Sequence, residues 1–488
     1  MLKQSVLAMA LAATLAASPF AAAADDKALA QIRAQIQQLK ESYEARIQAL
    51  EKRLQDSENR SAVASVDSIR NPVAVPAAAS SSSATSAASA AIPTTLTSVN
   101  APVPAPALAA SANGFNPSIA LILGGTYANL SQDPNRYRIQ GFIPGGEVGP
   151  GKRGLNLGES ELTLAANIDP RFAGKLTFSL TPDDAVSVEE AYFESQGLSN
   201  GLNLKAGRFL SSVGYLNGQH AHTWDFVDAP LAYQAFFGGQ YKPEGAQLRW
   251  LAPTETFIEL GLEAGRGSTF PGNDRNRNGI GSTALFAHLG DDIGASASYR
   301  AGLSYLRTSA AQRTYGDIDS AGNSVTNAYT GNSSTVIVDG IYKWSPNGNP
   351  VQTNLKLQGE YFRRTDRGSL SRDATADSAA YRAAQSGWYL QGVYQFTAGW
   401  RAGLRYDRLN SGSPAIGNVG GNGLSGADLS QLASYNPRRT SVMLDYSPSE
   451  FSRFRLQFAQ DRTRPEATDK QIFLQYIMSL GAHGAHTF

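Results

Sequence analysis

Over most of this chain, apolar and polar residues alternate with a period of two, in segments of roughly ten residues. Ala297, Tyr299, Ala301, Leu303 and Tyr305 share one face of such a segment, and Ser298, Arg300, Gly302 and Ser304 share the other. Trp400, Ala402, Leu404 and Tyr406 likewise oppose Arg401, Gly403, Arg405 and Asp407, while Phe454, Leu456 and Phe458 oppose Arg453, Arg455 and Gln457. This period predicts strands near 117–129, 155–168, 173–181, 186–195, 202–209, 243–251, 256–264 and 282–289. Eight more are expected near 295–306, 334–344, 353–362, 386–396, 399–408, 439–446, 453–462 and 469–481. The count is even, so both ends of the series fall on one side.

The connections alternate in length. Short ones include Asp169-Pro170-Arg171, Gly290-Asp291-Asp292, Thr397-Ala398-Gly399 and Ser447-Pro448-Ser449. Between them lie long ones at 131–154, 210–242, 265–282, 307–333, 363–385 and 409–438. Alternation alone suits a soluble sandwich as well. Short turns on one rim and long loops on the other belong to transmembrane β-barrels. The expected fold is therefore an all-β transmembrane barrel of about sixteen antiparallel strands over 114–488.

The first 113 residues read differently. Residues 1–24 carry Lys3, the apolar stretch Val6 to Ala17 and the small-residue run Ala21 to Ala24, which is the layout of a secretory signal peptide. Residues 25–60 place Leu29, Ile32, Ile36, Leu39, Tyr43, Ile47, Leu50 and Leu54 on one seam, with an eleven-residue stutter from Ile36 to Ile47. Such a helix meets copies of itself, so the seam predicts an N-terminal coiled coil that oligomerises the chain on the periplasmic side. Residues 61–113, rich in Ala, Ser and Pro, form an extended linker.

Composition narrows the class further. Lys+Arg number 42 against 41 Asp+Glu, so no bulk charge favours nucleic acid. Cysteine is absent, which removes thiolate metal sites and disulfides. Beyond the signal region no apolar run is long enough for a membrane helix. Charged residues are only 17% of the chain and glycines number 47, a profile that suits a barrel better than a cytosolic enzyme. No Ser-His-Asp arrangement, nucleotide loop or H-E-x-x-H motif occurs, so the sequence offers no enzymatic chemistry.

The seam Leu29 to Leu54, the stretches Val188-Glu189-Glu190-Ala191-Tyr192-Phe193 and Leu204-Lys205-Ala206-Gly207-Arg208-Phe209, and the terminal Phe488 together resemble the DcaP-like and phosphate-selective trimeric porins of Gram-negative outer membranes. The resemblance implies a homotrimer, held through barrel and coiled coil, in contact with outer-membrane lipid and lipopolysaccharide. It also implies that 210–242, the third connection on the long-loop side once the brief one at Thr181 to Ala185 is counted, folds inward as a constriction carrying His220, His222, Trp224, Asp225 and Asp228. A narrower likeness, over His220 to Pro230 and Gly481 to His486, is to barrels labelled zinc-regulated outer-membrane receptors.

Alternation places Arg300, Lys356, Arg401, Arg405, Arg453 and Arg455 on the inner wall, along with Glu159, Glu161 and Glu360. An arginine-rich wall concentrates anions; the same residues are equally able to pair with carboxylates across the lumen. Of five histidines, four form the pairs His220/His222 and His483/His486. An H-x-H pair in an extended segment supplies two ligands for Zn²⁺, but a site shared by both pairs is not expected. Asp274 to Gly279 has the spacing of a calcium loop, with Leu285 where the closing Glu belongs. The expected function is a passive outer-membrane porin for small hydrophilic, anionic solutes, with no cofactor required. A metal-linked uptake barrel using His220 and His222 is the alternative, and an envelope tether through the coiled coil is a third reading.

Overall fold

The structure, a computed structural model, describes residues 117–481 apart from 147, 181–184, 373–376 and 419–422. The signal peptide, the seam Leu29 to Leu54, the linker, His483, His486 and Phe488 lie outside the described residues. Those described form a closed barrel of sixteen antiparallel strands, and none of their helices is long and apolar enough to cross a membrane.

Strand β1 (Ser118–Leu130) pairs with both halves of β2, Gly154–Leu157 and Ser160–Asp169. Next come β3 (Phe172–Leu180), β4 (Val186–Ser195), β5 (Leu202–Arg208), β6 (Glu244–Leu251), β7 (Phe257–Gly265) and β8 (Ser282–Ile293). The four longest strands are β9 (Ala297–Ile318), β10 (Ser324–Trp344), β11 (Asn354–Arg372) and β12 (Ser378–Thr397). β13 (Trp400–Asn410), prolonged along β12 by Ala415–Asn418, leads to β14 (Arg438–Ser449), β15 (Ser452–Arg462) and β16 (Asp469–Gly481). β16 returns to β1, from Ala120↔Gly481 to Leu130↔Gln471. Closure leaves no described strand as an edge, which is what a lipid-exposed sheet requires of its backbone.

The outer face follows the apolar half of the alternation. Leu303, Val338, Leu390, Leu404, Leu456 and Leu474 all stand exposed on it. Aromatic residues border this band: Trp388 rests on Tyr406 towards the long loops, while Trp400 rests on Tyr446 and Phe454 on Tyr476 beside the short turns. On β12 the borders fall at Trp388 and Phe396, about 27 Å apart along the strand at ~3.4 Å per residue. At a tilt of about 35–45° this is a rise of about 20 Å, most of an apolar layer about 25 Å tall.

All sixteen expected strands are present, but two long connections are not loops. β9 and β10 stay paired up to Ile318↔Ser324, and β11 and β12 up to Ser371↔Ser378. The regions 307–333 and 363–385 are therefore mostly β-hairpin. Above Tyr305 and Tyr361 the outward residues turn polar (Arg307, Ser309, Arg363, Thr365, Arg367), while Leu306, Tyr315, Tyr329, Leu370 and Tyr381 point inward and are buried. The strands have left the lipid there and stand in water, so the membrane pattern ends although the hydrogen-bond ladder does not. The turn expected at Gly290-Asp291-Asp292 moves as well. β8 pairs through Ile293↔Ala297, and Gly294, at φ 62°, takes the left-handed position that the turn needs.

This division predicts a sharp contrast between two arginine substitutions. Leu404→Arg, at mid-band, should cost about 2–4 kcal/mol. Ile318→Arg, at a hairpin tip outside the band, should stay within about 0.5 kcal/mol. Urea unfolding in phospholipid vesicles measures both.

Candidate constriction site in the barrel lumen

The connection from β5 to β6 is buried against the inner wall of the barrel. Phe209, Val213, Asn217, Phe226, Leu231 and Tyr233 are all essentially inaccessible. Its one α-helix, α1 (Leu231–Phe237), is far too short to be stable alone and buries all seven residues against β11, β12 and β13. The wall supplies its N-terminal cap, since the Leu231 N–H donates to Asp407 Oδ1 at 2.9 Å. Gly238 ends it in the left-handed region. Phe236 and Tyr233 pack on Phe362 at ring separations of 5.7 and 5.1 Å. Glu360 on β11 accepts from the Tyr215 and Leu216 amides and from the Tyr233 and Tyr389 hydroxyls, tying the loop to the wall.

On one side the loop meets arginines. Asp225 accepts from Arg401 Nη1 at 3.2 Å and Lys356 Nζ at 2.5 Å. Asp228 accepts from Arg405 Nη2 at 2.8 Å and Arg439 Nη1 at 2.5 Å. Arg455 pairs with Asp445 at 2.8 Å and donates to the Trp224 carbonyl, which also takes Arg453. Arg300 lies apart, paired with Asp339 at 3.3 Å beneath the Tyr215 ring. Burial pushes the Asp228 carboxyl up, but Arg439 and Arg405 outweigh it and hold it near a pKa of about 2. The same balance, set by Lys356 and Arg401, holds Asp225 well below the usual carboxylate range.

On the other side the loop meets glutamates, through two irregularities of the wall. One extra residue between Leu157 and Glu161 breaks the alternation of β2, so Leu155 and Leu157 face out while Glu161 is buried in the lumen. On β4 the register slips at Glu189, and both Glu189 and Glu190 end up buried. His220 Nδ1 sits 3.1 Å from Glu161 and 3.3 Å from Glu189. Its Nε2 lies 3.0 Å from Glu190 and 3.2 Å from Lys175 Nζ. His222 Nδ1 is 2.9 Å from Glu161. The segment is a 3₁₀ turn (Ala221–Thr223) rather than extended, yet the two rings stack at 5.6 Å. Burial opposes a charge on His220, but Glu161 and Glu189 hold its imidazolium well above the usual histidine range.

The expected site residues thus fall into two groups. His220, His222, Trp224, Asp225 and Asp228 do line the inward loop, and five of the six wall cations gather around Asp225, Asp228 and Trp224. Arg300 does not join them. The partnering carboxylates Asp407, 3.0 Å from Arg405, and Asp445 were legible from alternation; Glu189 was not, because only a bulge turns it inward. Its signal was the pair Glu189-Glu190 itself, which a regular strand would send to opposite faces. In the 265–282 loop, the Asp274 carboxylate is taken by Arg266 at 2.8 Å and by the Asn276 amide.

No family model matches the chain. An uncharacterized protein of Aquifex aeolicus (strain VF5) is 29% identical over 405 residues, covering 78% of this chain and 81% of that protein. Among solved structures, similar folds include a loop L8 deletion mutant of OmpT, an outer membrane protein of Vibrio cholerae, at 10% identity over 75% of this chain and 100% of that one, with a TM-score of 0.47. An anion-selective porin from Comamonas acidovorans (11%, 75% and 100%, TM-score 0.45) and the channel DcaP of Acinetobacter baumannii (12%, 75% and 98%, TM-score 0.44) are others. The closed sixteen-strand barrel, its apolar belt and its inward loop have the architecture of a transmembrane β-barrel with a narrowed lumen.

Docking of the loop should depend on pH through Asp228. Its folded pKa is depressed, so the stabilisation is complete above the ordinary aspartate value near ~3.9 and is lost as pH falls from there through about 2. Asp228→Asn should loosen the loop by about 3–5 kcal/mol above pH ~4, because Arg405 and Arg439 lose a buried partner, and the difference should vanish as pH falls through about 2. Limited proteolysis across pH in detergent, with loop cleavage as the readout, checks both.

Proposed function

We propose that this chain is a passive outer-membrane channel for small hydrophilic solutes with a preference for anions. Support for an open path comes from the unequal burial of the inner wall. Inward residues of β8 to β15 are almost all buried beneath the loop and two apolar clusters, one of which also takes in Ile139 and Phe142 and the other Leu429 and Leu432. Inward residues of β2 to β5, among them Thr163, Lys175, Tyr192 and Lys205, keep partial exposure. Water therefore reaches the lumen along the β2–β5 wall, past the loop tip that carries His220 and His222.

The anion preference rests on which charges stay wet. Near the short turns, the partly exposed inward charges are Lys175, Lys205, Lys343, Lys356, Arg401 and Arg453, against Glu194 as the carboxylate of similar exposure among the described strand residues. Arg405, Arg439 and Arg455 are buried in ion pairs and add little field. The preference is thus set by a rim of partly exposed cations rather than by the fully buried arginines. In the same reading the short turns face the periplasm, lipid and lipopolysaccharide surround the belt, and three chains assemble through the barrel and the N-terminal helix.

Planar-bilayer recording under a KCl gradient tests this. Conductance in three-fold steps with an anion-selective reversal potential is expected. A unit charge ~10 Å from the path is worth about 0.4 kcal/mol in water before screening. Arg453, held by backbone carbonyls, is the cleanest probe: Arg453→Gln should lower the anion-to-cation ratio about two- to fourfold. A silent barrel or a cation-selective one would overturn the reading.

A further inference from the structure

The histidine tip and the bulged glutamates form a group that diffusion does not need. Glu159, Glu161, Glu189 and Glu190 converge there with Lys175 and Lys242 around two stacked imidazoles. We propose that Glu161, His220 and His222 form a divalent-cation site, suited to Zn²⁺, that latches the third loop onto the β2–β4 wall and narrows the channel. The regulatory half of this proposal rests on the diffusion reading; the site itself does not.

Donor type and spacing both fit. One carboxylate and two imidazoles are the ligand set of many zinc sites with an open fourth position. One donor atom from each of the three residues lies within 4.8 Å of the others. Two donors at ~2.1 Å from a tetrahedral ion stand about 3.4 Å apart. Here His220 Nδ1 is 3.1 Å and His222 Nδ1 2.9 Å from Glu161 oxygens, so the ion enters with small movements. Glu189, 3.3 Å from His220 Nδ1, is placed to supply a fourth ligand, its other oxygen held by Lys242.

The surroundings are those of a ligating histidine. With Nδ1 turned to the ion, His220 Nε2–H donates to Glu190 at 3.0 Å, and Lys175 pairs with the same carboxylate at 2.7 Å. A carboxylate on the far ring nitrogen orients a metal-bound imidazole and raises its basicity. The side chains of His220 and His222 are 16% and 11% accessible, so an ion can reach them from the lumen. Because the histidines sit on the loop and the glutamates on the wall, a bound ion crosslinks the two.

The test uses the full chain in detergent, carrying His483→Ala and His486→Ala so that metal held by the second histidine pair does not count. After EDTA treatment and removal of the chelator, equilibrium dialysis against ZnCl₂, with MgCl₂ as comparison, should give one Zn²⁺ per chain. His222→Ala or Glu161→Gln should abolish it, and Glu190→Gln should weaken it roughly 10–100-fold. Heat-modifiable gel migration shows whether each variant has folded, and two independent ligand variants guard against one that does not. In bilayers, micromolar Zn²⁺ should reduce conductance reversibly, and not in His222→Ala. Absence of saturable Zn²⁺ binding, or binding that survives both ligand variants, overturns the site. Stoichiometric binding with conductance unchanged overturns the latch. Stoichiometric binding to a barrel that never conducts overturns the diffusion reading and leaves the site standing.

Discussion

Compensation of charge inside the barrel is the constraint on which this structure depends. Alternating strands send polar residues inward, and in this chain many of them are charged. A wide aqueous pore would leave those groups to water; here the third loop removes much of that water. Every cation it covers must then find an anion, since an isolated buried charge is far more costly than any packing gain can offset. The loop brings its own: Asp225 and Asp228 enter the arginine cluster, and within eight residues His220 and His222 enter the glutamate cluster. One short segment is thus complementary to two oppositely charged walls, and its position across the lumen follows.

The walls are shaped to receive it. Without the slips at Leu157–Glu161 and Glu189, alternation would turn part of the glutamate group to lipid, where a carboxylate has no partner. Each bulge interrupts the ladder locally but re-aims a side chain toward the loop tip. Gly124 accommodates the first slip, because a Cβ there would lie 2.7 Å from the Glu159 carbonyl. Sheet irregularity and loop sequence are therefore two halves of one arrangement.

Burial sorts the charged residues by role. Arg405, Arg439 and Arg455, sealed in ion pairs, hold the loop; Lys205, Lys356, Arg401 and Arg453, partly exposed, present charge to whatever occupies the lumen. Beyond the membrane the sorting reverses. The prolonged hairpins of β9 to β12 carry polar residues outward and enclose Tyr315, Tyr329, Leu370 and Tyr381, on which Ile143, Leu424 and Leu429 from other long connections pack. The long-loop half of the barrel therefore has a core like that of a water-soluble protein.

Local pattern sufficed for everything the lipid dictates. Strand number, antiparallel order, the outward faces of β9, β13 and β15 and the inward listing of Arg401, Arg405, Arg453 and Arg455 follow from a period of two, which the apolar belt enforces residue by residue. The pattern failed where lipid stops acting. Past Tyr305 and Tyr361 the outward face is polar, so paired strand looks like loop; at Glu189 an extra residue breaks the period. Which inward charges meet was beyond the sequence altogether. Asp225 and Arg401 are 176 residues apart, and Glu161 and His222 are 61 apart. Their contact is decided by barrel closure and by the path of the third loop across it, and no local period encodes either.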